Sequence, residues 1–209
     1  VWMDVIDFAH PEAAYRHLRT LAASPVLRDE MLALMQYRYA HIDILDQPLD
    51  FDFACPIDLH CTYSRDQLLV ALDFMKPATV REGVKWLPDK KLDVLFVTLN
   101  KSDKDYSPTT MYQDYSINKT LFHWQSQSTT SDRSKTGQRY IHHRAEGSRI
   151  LLCVRDAKKD AWGGTASYSV LGFVDYVQHT GSNPMSITWR LAAEIPAKYI
   201  RQTNKLIVS

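Results

Sequence analysis

A basic segment and the polar side chains just before it carry the clearest chemical signal in this sequence. Residues 131–144 hold four arginine or lysine side chains and one aspartate. Such cations neutralise phosphates, and glutamine amides can pair with the edges of bases. The pattern is compatible with nucleic-acid contact, but from composition alone a solvated basic loop beside an ordinary core strand is the more frequent explanation. The candidate contact residues are Gln125, Gln127, Arg133, Lys135, Arg139 and Arg144.

Two other polar segments could add contacts to nucleic acid. Lys101, Ser102 and Lys104 follow an apolar stretch and could hold a phosphate, although a charge-mixed loop is more often simply solvated. Trp162 precedes a glycine pair, and a tryptophan in such a loop can insert between bases. The same residues suit an ordinary hairpin loop on which the tryptophan acts as a lid.

Aromatic side chains could wall a pocket for a modified base that is flipped out of the double helix. Alternation along residues 120–126 places Phe122 and Trp124 on one face of a strand and Gln125 on the other. One face must be core, and a tryptophan at such a position is more often a core anchor than a stacking surface. The candidate walls of the pocket are Trp86, Tyr112, Tyr115 and Trp124.

Composition and missing motifs exclude several classes of protein. The chain is 45% hydrophobic and 23% charged, which excludes a disordered chain and a coiled coil. With 25 Lys+Arg against 24 Asp+Glu, the net charge of +1 excludes a globally basic binder but not a local basic patch. The common nucleotide-binding loops are absent, and the cysteines and histidines lack zinc-ligand spacing. We therefore expect no catalytic residue, no metal site and no cofactor in this chain.

The first fifty residues read as a helical segment that links or braces domains. A proline at an early helical position begins the first predicted helix near His10, and Ser24–Pro25 ends it. A second helix is predicted from about Val26 to Ala40, with Leu27, Met31, Leu34 and Met35 at helical spacing. Residues 1–50 and 51–209 are thus expected to form two parts.

Residues 51–209 are rich in predicted strands. Alternating or apolar runs predict strands at 57–63, 93–99, 120–126 and 150–154, and a hairpin from 168–177 to 185–191. A capping box, Ser64 with Gln67, predicts a short helix that Pro77 ends. Because loops rather than crossover helices join the strands, we expect an α+β fold with a mixed or antiparallel sheet closed into a small barrel.

The cellular setting can also be predicted from the sequence. Three cysteines cannot all pair, which favours a reducing, cytoplasmic compartment. No apolar run approaches the length of a transmembrane helix, so no membrane contact is expected. The chain starts at Val1 with neither an initiator methionine nor a signal peptide, which suggests a piece of a longer polypeptide.

Several sequence stretches together are similar to a bacterial domain, formerly of unknown function, that lies at the C-terminus of superfamily-two DEAD/DEAH-type helicases. Such helicases often also carry a phospholipase-D-like nuclease domain and are linked to restriction and phage defence. The resemblance covers roughly residues 51 to 201. It rests on Arg81–Val84, Leu95–Ser102, Tyr115–Thr130, Thr136–Tyr140, Gly163–Ala166 and Pro184–Leu191.

The resemblance implies a non-catalytic module that engages DNA and reads a modified or particular base. It implies DNA and the helicase and nuclease parts of the same polypeptide as partners, with ATP and magnesium needed only by the helicase part. The alternative is a protein-interaction module that regulates the helicase without touching DNA. In that case the basic segment would be incidental.

Overall fold

The computed structural model describes residues 23–40, 47–99 and 114–195, together with Glu12, Tyr15, Arg16, Arg19, Thr20 and Ile200. The chain divides into two compact units, residues 1–47 and 48–209. Of the predicted site residues, four lie outside the described part of the chain: Lys101, Ser102, Lys104 and Tyr112. The predicted helix near His10 also lies mostly outside it.

Helix α1 is the described element of the first unit and spans Pro25–Ala40. It confirms the second predicted helix. Its apolar side chains do not pack into a core: Met31, Leu34 and Met35 are 45%, 62% and 64% exposed. The helical spacing of these residues therefore marks an exposed apolar face within the described residues.

The second unit is built on a mixed sheet to which the described residues contribute eight strands. The strands lie in the order β2-β3-β6-β7-β8-β5-β4, and β1 pairs with β7 outside this path. Their bounds are β1 Thr62–Tyr63, β2 Val84–Leu87, β3 Leu92–Thr98, β4 Tyr115–Ser116, β5 Leu121–Gln125, β6 Arg149–Arg155, β7 Tyr168–Thr180 and β8 Ser186–Leu191.

The central pair of strands, β3 and β6, is parallel, and every other named pair is antiparallel. All seven residues of β3 are buried, because a core lies on each face of the sheet. Val94 and Phe96 pack with α2 (Arg65–Ala71), while Leu95 and Val97 pack with β5 and β8. A strand buried on both faces needs a continuous apolar run, which is why its sequence predicted it.

Strand β7 bends, so that its two halves serve different parts of the sheet. Its first half pairs with β6 and β1, and its second half pairs with β8. Gly172 lies at the bend with a φ of 98°, and the register shifts opposite Leu152 and again after Tyr176. An extra residue at such bulges curves a strand. The curvature lets β5 and β8 cover the inner face of β3 and β6.

The described residues of the second unit also include two short helices. The capping box that begins α2 is present as predicted, with Ser64 and Gln67 exchanging hydrogen bonds. Helix α3 spans Lys135–His142 and is capped by Ser134, where the sequence predicted a basic loop. The helical pattern is short, because only Tyr140 and Ile141 are large apolar residues in this stretch. Two 3-10 turns, Pro77–Thr79 and Pro88–Lys90, flank β2.

The α+β class and the mixed sheet are confirmed, whereas closure of the sheet into a barrel is wrong. Among the described strands, β2 pairs only with β3 and β4 only with β5, so the path stays open at both ends. The strand predicted at 57–63 is also much shorter, being only β1. Ile57 and Leu59 are buried in a loop instead, and His60 adopts a left-handed φ of 64°.

Candidate nucleic-acid interface

An open pocket of about 500 Å³ lies where the parallel strands β3 and β6 end. The start of β2 and the end of β5 border the same space. The described lining residues include apolar, amide and charged side chains. They are Arg65, Arg81, Glu82, Gly83, Val84, Phe96, Val97, Thr98, Asp114, Trp124, Gln125, Gln127, Ser128, Thr129, Arg155 and Tyr168.

The aromatic side of the pocket is held rigidly by the core. Trp124 is only 5% exposed and packs edge-on against Tyr140, with ring centroids 5.6 Å apart. Tyr168 packs edge-on against Phe96 at 5.2 Å. The prediction placed Trp124 either in the core or in a pocket wall, and it lies in both positions. These rings are held in place by the core and leave only a small part of their surface open to the pocket.

Polar groups of the pocket come from β5 and the residues on either side of it. Asp114 is 3% exposed, and its carboxylate accepts a hydrogen bond from the Gln125 backbone N–H at 2.9 Å. The Gln127 amide donates to Glu82 at 2.6 Å, and the Gln125 amide donates to Ser186 at 3.3 Å. Gln125 and Gln127, both predicted contact residues, thus lie together beside Trp124.

Three arginines line the described part of the pocket, and the sequence reasoning missed all of them. Arg155 donates from Nε to the Thr98 hydroxyl at 2.9 Å, and its guanidinium lies 4.5 Å from the Tyr168 ring centroid. Arg81 is exposed. The Arg65 Nε is buried without a hydrogen bond and lies 3.6 Å from the Asp66 carboxylate. The sequence held a usable signal only for Arg155, the charged residue that ends the apolar strand β6.

Arg139 corrects the sequence interpretation most sharply. It makes two hydrogen bonds to the Asp93 carboxylate, at 2.7 and 3.0 Å, and its guanidinium lies 4.2 Å from the Trp86 ring centroid. Burial raises the pKa of Asp93 while the Arg139 charge opposes that rise. With Arg139 bound to a buried carboxylate, it is unsuited to the DNA contact predicted for it. Trp86 covers this ion pair and does not line the pocket.

Arg144, another predicted contact, is also bound to a carboxylate. Its guanidinium forms a two-pronged ion pair with Asp175 of β7. His143 beside it is buried: its Nε2 accepts the Tyr176 backbone N–H at 3.1 Å, and its Nδ1 lies 3.3 Å from the Ser148 carbonyl oxygen. Burial lowers the pKa of His143. These bonds fix the end of α3 to the sheet, so Arg144 acts as a structural ion pair.

The other predicted site residues are spread over separate parts of the unit. Arg133 and Lys135 are exposed at the start of α3 and do not line the pocket. Tyr115 stacks on His123, with centroids 4.7 Å apart, instead of forming a pocket wall. Trp162 is 93% exposed at the tip of a hairpin loop between β6 and β7.

The described residues contain neither a candidate metal site nor a candidate membrane-spanning helix. No group of three or more histidine, cysteine, aspartate or glutamate side chains there could hold a metal ion. None of the helices described is both long enough and apolar enough to cross a membrane.

Comparison with known proteins identifies a family. No curated protein matches the chain. A structure of Arabidopsis thaliana SUVH6 with SAM is 10% identical at a TM-score of 0.45, covering 84% of this chain, which spans only 34% of that one. The DNA recognition domain of the cytosine modification-dependent restriction endonuclease LpnPI is 13% identical at a TM-score of 0.31, covering 60% of this chain and 68% of that one. At these low values neither structure assigns a function. Residues 57–202 match the family described as a domain of unknown function, DUF3427, so the chain belongs to that family.

Proposed function

We propose that this chain is a non-catalytic DNA-binding module that holds one base in the pocket at the ends of β3 and β6. In this proposal it serves a larger helicase-nuclease in restriction or phage defence. The observation that carries the proposal is the convergence of Trp124, Gln125, Gln127 and Asp114 on one pocket bordered by arginines. Its volume of about 500 Å³ lies within the range of small-ligand sites, roughly 300–1,000 Å³.

The pocket offers the groups that a base requires. Bases have flat faces that stack on aromatic rings and polar edges that both donate and accept hydrogen bonds. The wall formed by Trp124 supplies a ring, the amides of Gln125 and Gln127 supply both donors and acceptors, and Asp114 supplies acceptors. A base reaches such a pocket only after leaving the stack, because its edges and faces are otherwise covered.

The arginines suit the phosphates on either side of an extruded nucleotide. Arg65, Arg81 and Arg155 outnumber the two carboxylates of the described lining, Glu82 and Asp114, although the Asp66 carboxylate also lies 3.6 Å from the Arg65 Nε. A phosphate oxygen would meet the exposed Arg81 and the part of the Arg65 side chain that is open to solvent. Phosphate contacts should therefore provide affinity, and the amides should provide base preference.

The proposal is tested by fluorescence anisotropy with a labelled duplex that carries one central mismatch and with its fully paired counterpart. The mismatched duplex should bind more tightly, because an unpaired base costs less to extrude. Replacing Arg65→Ala and Arg81→Ala together should reduce affinity at least about tenfold and lower the salt dependence. Lys119→Ala is the matched control, because Lys119 is an exposed cation outside the pocket. Equal effects of the double variant and the control would contradict the proposal.

A second candidate function rests on helix α1. Its exposed Met31, Leu34 and Met35 form an apolar face of the kind that marks a protein-interaction site. Under this reading the chain docks onto the helicase part of its polypeptide and does not touch DNA. Met31→Glu with Met35→Glu would then abolish association with a separately expressed helicase part, and the wild-type chain would not bind either duplex at low salt.

A further inference from the structure

We propose that Trp162 is a stacking side chain that covers the base step next to the extruded nucleotide. This inference rests on the proposed function, because it assigns a second contact to the same DNA. Trp162 is 93% exposed, which is unusual for the largest apolar side chain. It makes no contribution to the core that would explain its place in the sequence.

The loop that carries Trp162 is built to hold it in a fixed position. The Asp160 carboxylate accepts hydrogen bonds from the backbone N–H groups of Trp162 and Gly164, at 2.9 and 2.8 Å. Gly163 has a φ of 83°, a conformation that favours glycine, and its N–H donates to the Asp160 carbonyl at 3.1 Å. The tight turn therefore presents the indole at the tip of a short, hydrogen-bonded hairpin. A preorganised ring loses little entropy when it stacks.

The loop begins at the same edge of the sheet as the pocket. Arg155 ends β6 and links the two places, because its Nε donates to Thr98 in the pocket and its Nη1 donates to Ala166 in the loop at 3.3 Å. A second cavity of about 410 Å³ lies on the loop side of Arg155 and is also lined by Lys159 and Asp160. Arg155 lines both cavities, so the pocket and the loop lie on either side of one residue.

The polar surroundings of the indole favour a nucleic acid over an apolar protein surface. Lys158 and Lys159 directly precede the turn, next to the Asp156 and Asp160 carboxylates, and Arg155 ends the strand before them. A ring beside cations matches a base beside its phosphates, because each base presents an aromatic face and each phosphate an anion. Stacking of this kind tolerates any sequence. In this proposal the loop stacks on the neighbouring base step and keeps the duplex open, while the pocket contacts the edges of the extruded base.

The test compares Trp162→Ala with Trp162→Phe in the mismatched-duplex assay. Stacking predicts that the alanine variant loses about 5- to 150-fold in affinity and that phenylalanine restores most of it. Thermal midpoints should stay unchanged, because the side chain is exposed. Tyr37→Ala is the control, as another exposed aromatic residue on a helix.

Tryptophan fluorescence provides the second measurement in the same experiment. Adding the duplex should quench the wild-type emission, and Trp162→Phe should reduce that quenching, leaving the part that comes from Trp124 in the pocket. If Trp162→Ala binds as tightly as the wild type while Arg65→Ala with Arg81→Ala does not, the stacking role is overturned and the proposed function stands. If the wild type fails to bind either duplex, both proposals fail together.

Discussion

The arginines at the ends of β3 and β6 differ from the arginines near α3 in what surrounds their guanidinium groups. Arg139 and Arg144 each make two hydrogen bonds to one carboxylate, Asp93 and Asp175 respectively. Arg155 instead bonds the neutral oxygen atoms of Thr98 and Ala166. Arginine in a basic segment is therefore not evidence of an anion site until its carboxylate partners are known. Arg65 of the pocket makes a longer contact of 3.6 Å with the Asp66 carboxylate, so the contrast is sharpest between Arg155 and the two arginines near α3. Our proposal therefore places ligand binding at the pocket and a structural role near α3.

The largest effect is expected at the buried ion pair. Arg139→Ala leaves the Asp93 carboxylate buried without its partner, which should lower the free energy of unfolding by about 3–5 kcal/mol. Urea denaturation measures this loss, and Asp93→Asn combined with Arg139→Met should recover part of it. If Arg139→Ala unfolds like the wild type but binds DNA more weakly, Arg139 contacts DNA, and the contrast drawn between the α3 region and the pocket is wrong.

Substitutions in the pocket should change DNA binding and leave the free energy of unfolding nearly unchanged. Gln127→Ala removes an amide whose present partner is the exposed Glu82, so the free energy of unfolding should change by less than about 0.5 kcal/mol. Discrimination among bases at the mismatched position should fall by about 1–3 kcal/mol. Anisotropy titrations with each base in turn provide the measurement. A uniform loss for every base would show that Gln127 does not read an edge.

His143 gives a smaller, pH-dependent effect in the α3 region. Its Nε2 accepts a backbone N–H, so protonation would break that bond, and burial lowers the pKa of His143 below 6.5. The unfolded chain therefore takes up the proton more readily than the folded one. The stabilisation is complete above pH 6.5 and is lost as the pH falls toward the folded pKa, by at most about 1.4 kcal/mol per pH unit. His143→Gln should remove this slope in urea denaturation between pH 7 and pH 5. A slope that His143→Gln leaves unchanged would assign it to other groups.

The smallest effect is expected for Arg144, whose side chain is 75% exposed. Arg144→Ala should leave DNA affinity within about twofold of the wild type, because the residue is paired with Asp175 and its charge is largely solvated. Anisotropy titration at low salt checks this. A loss comparable to that of Arg65→Ala with Arg81→Ala would move the interface to α3.

Local patterns predicted the parts of the fold that local chemistry determines. The runs that became β3 and β6, the hairpin of β7 and β8, and the capping box of α2 could all be read from neighbouring residues. Helix α3 could not, because its hydrophobic pattern is short and its place is set by the bond from Arg139 to Asp93, 46 residues away. The open sheet was missed because the curvature of β7 depends on bulges opposite its partners.

The sequence predicted only those residues of the candidate site that lie on strand β5 or directly after it. Trp124, Gln125 and Gln127 were identified from the end of β5, and the pocket contains all three. Arg81 and Arg155 reach the same pocket through the antiparallel pairing of β2 with β3 and the parallel pairing of β3 with β6, and Arg65 reaches it because α2 packs on β3. Pairings between residues so far apart in the chain leave no periodic signal in the sequence. Arg139 and Arg144 were misinterpreted for the same reason, since their carboxylate partners are distant.

The most direct measurement of the central claim is a nitrogen-15 NMR titration with the mismatched duplex. The indole N–H of Trp124 and the side-chain amides of Gln125 and Gln127 should shift most, while the indole of Trp86, which covers Arg139, should stay in place. Shifts confined to Arg133, Lys135 and the rest of α3, with the pocket resonances unmoved, would contradict the account.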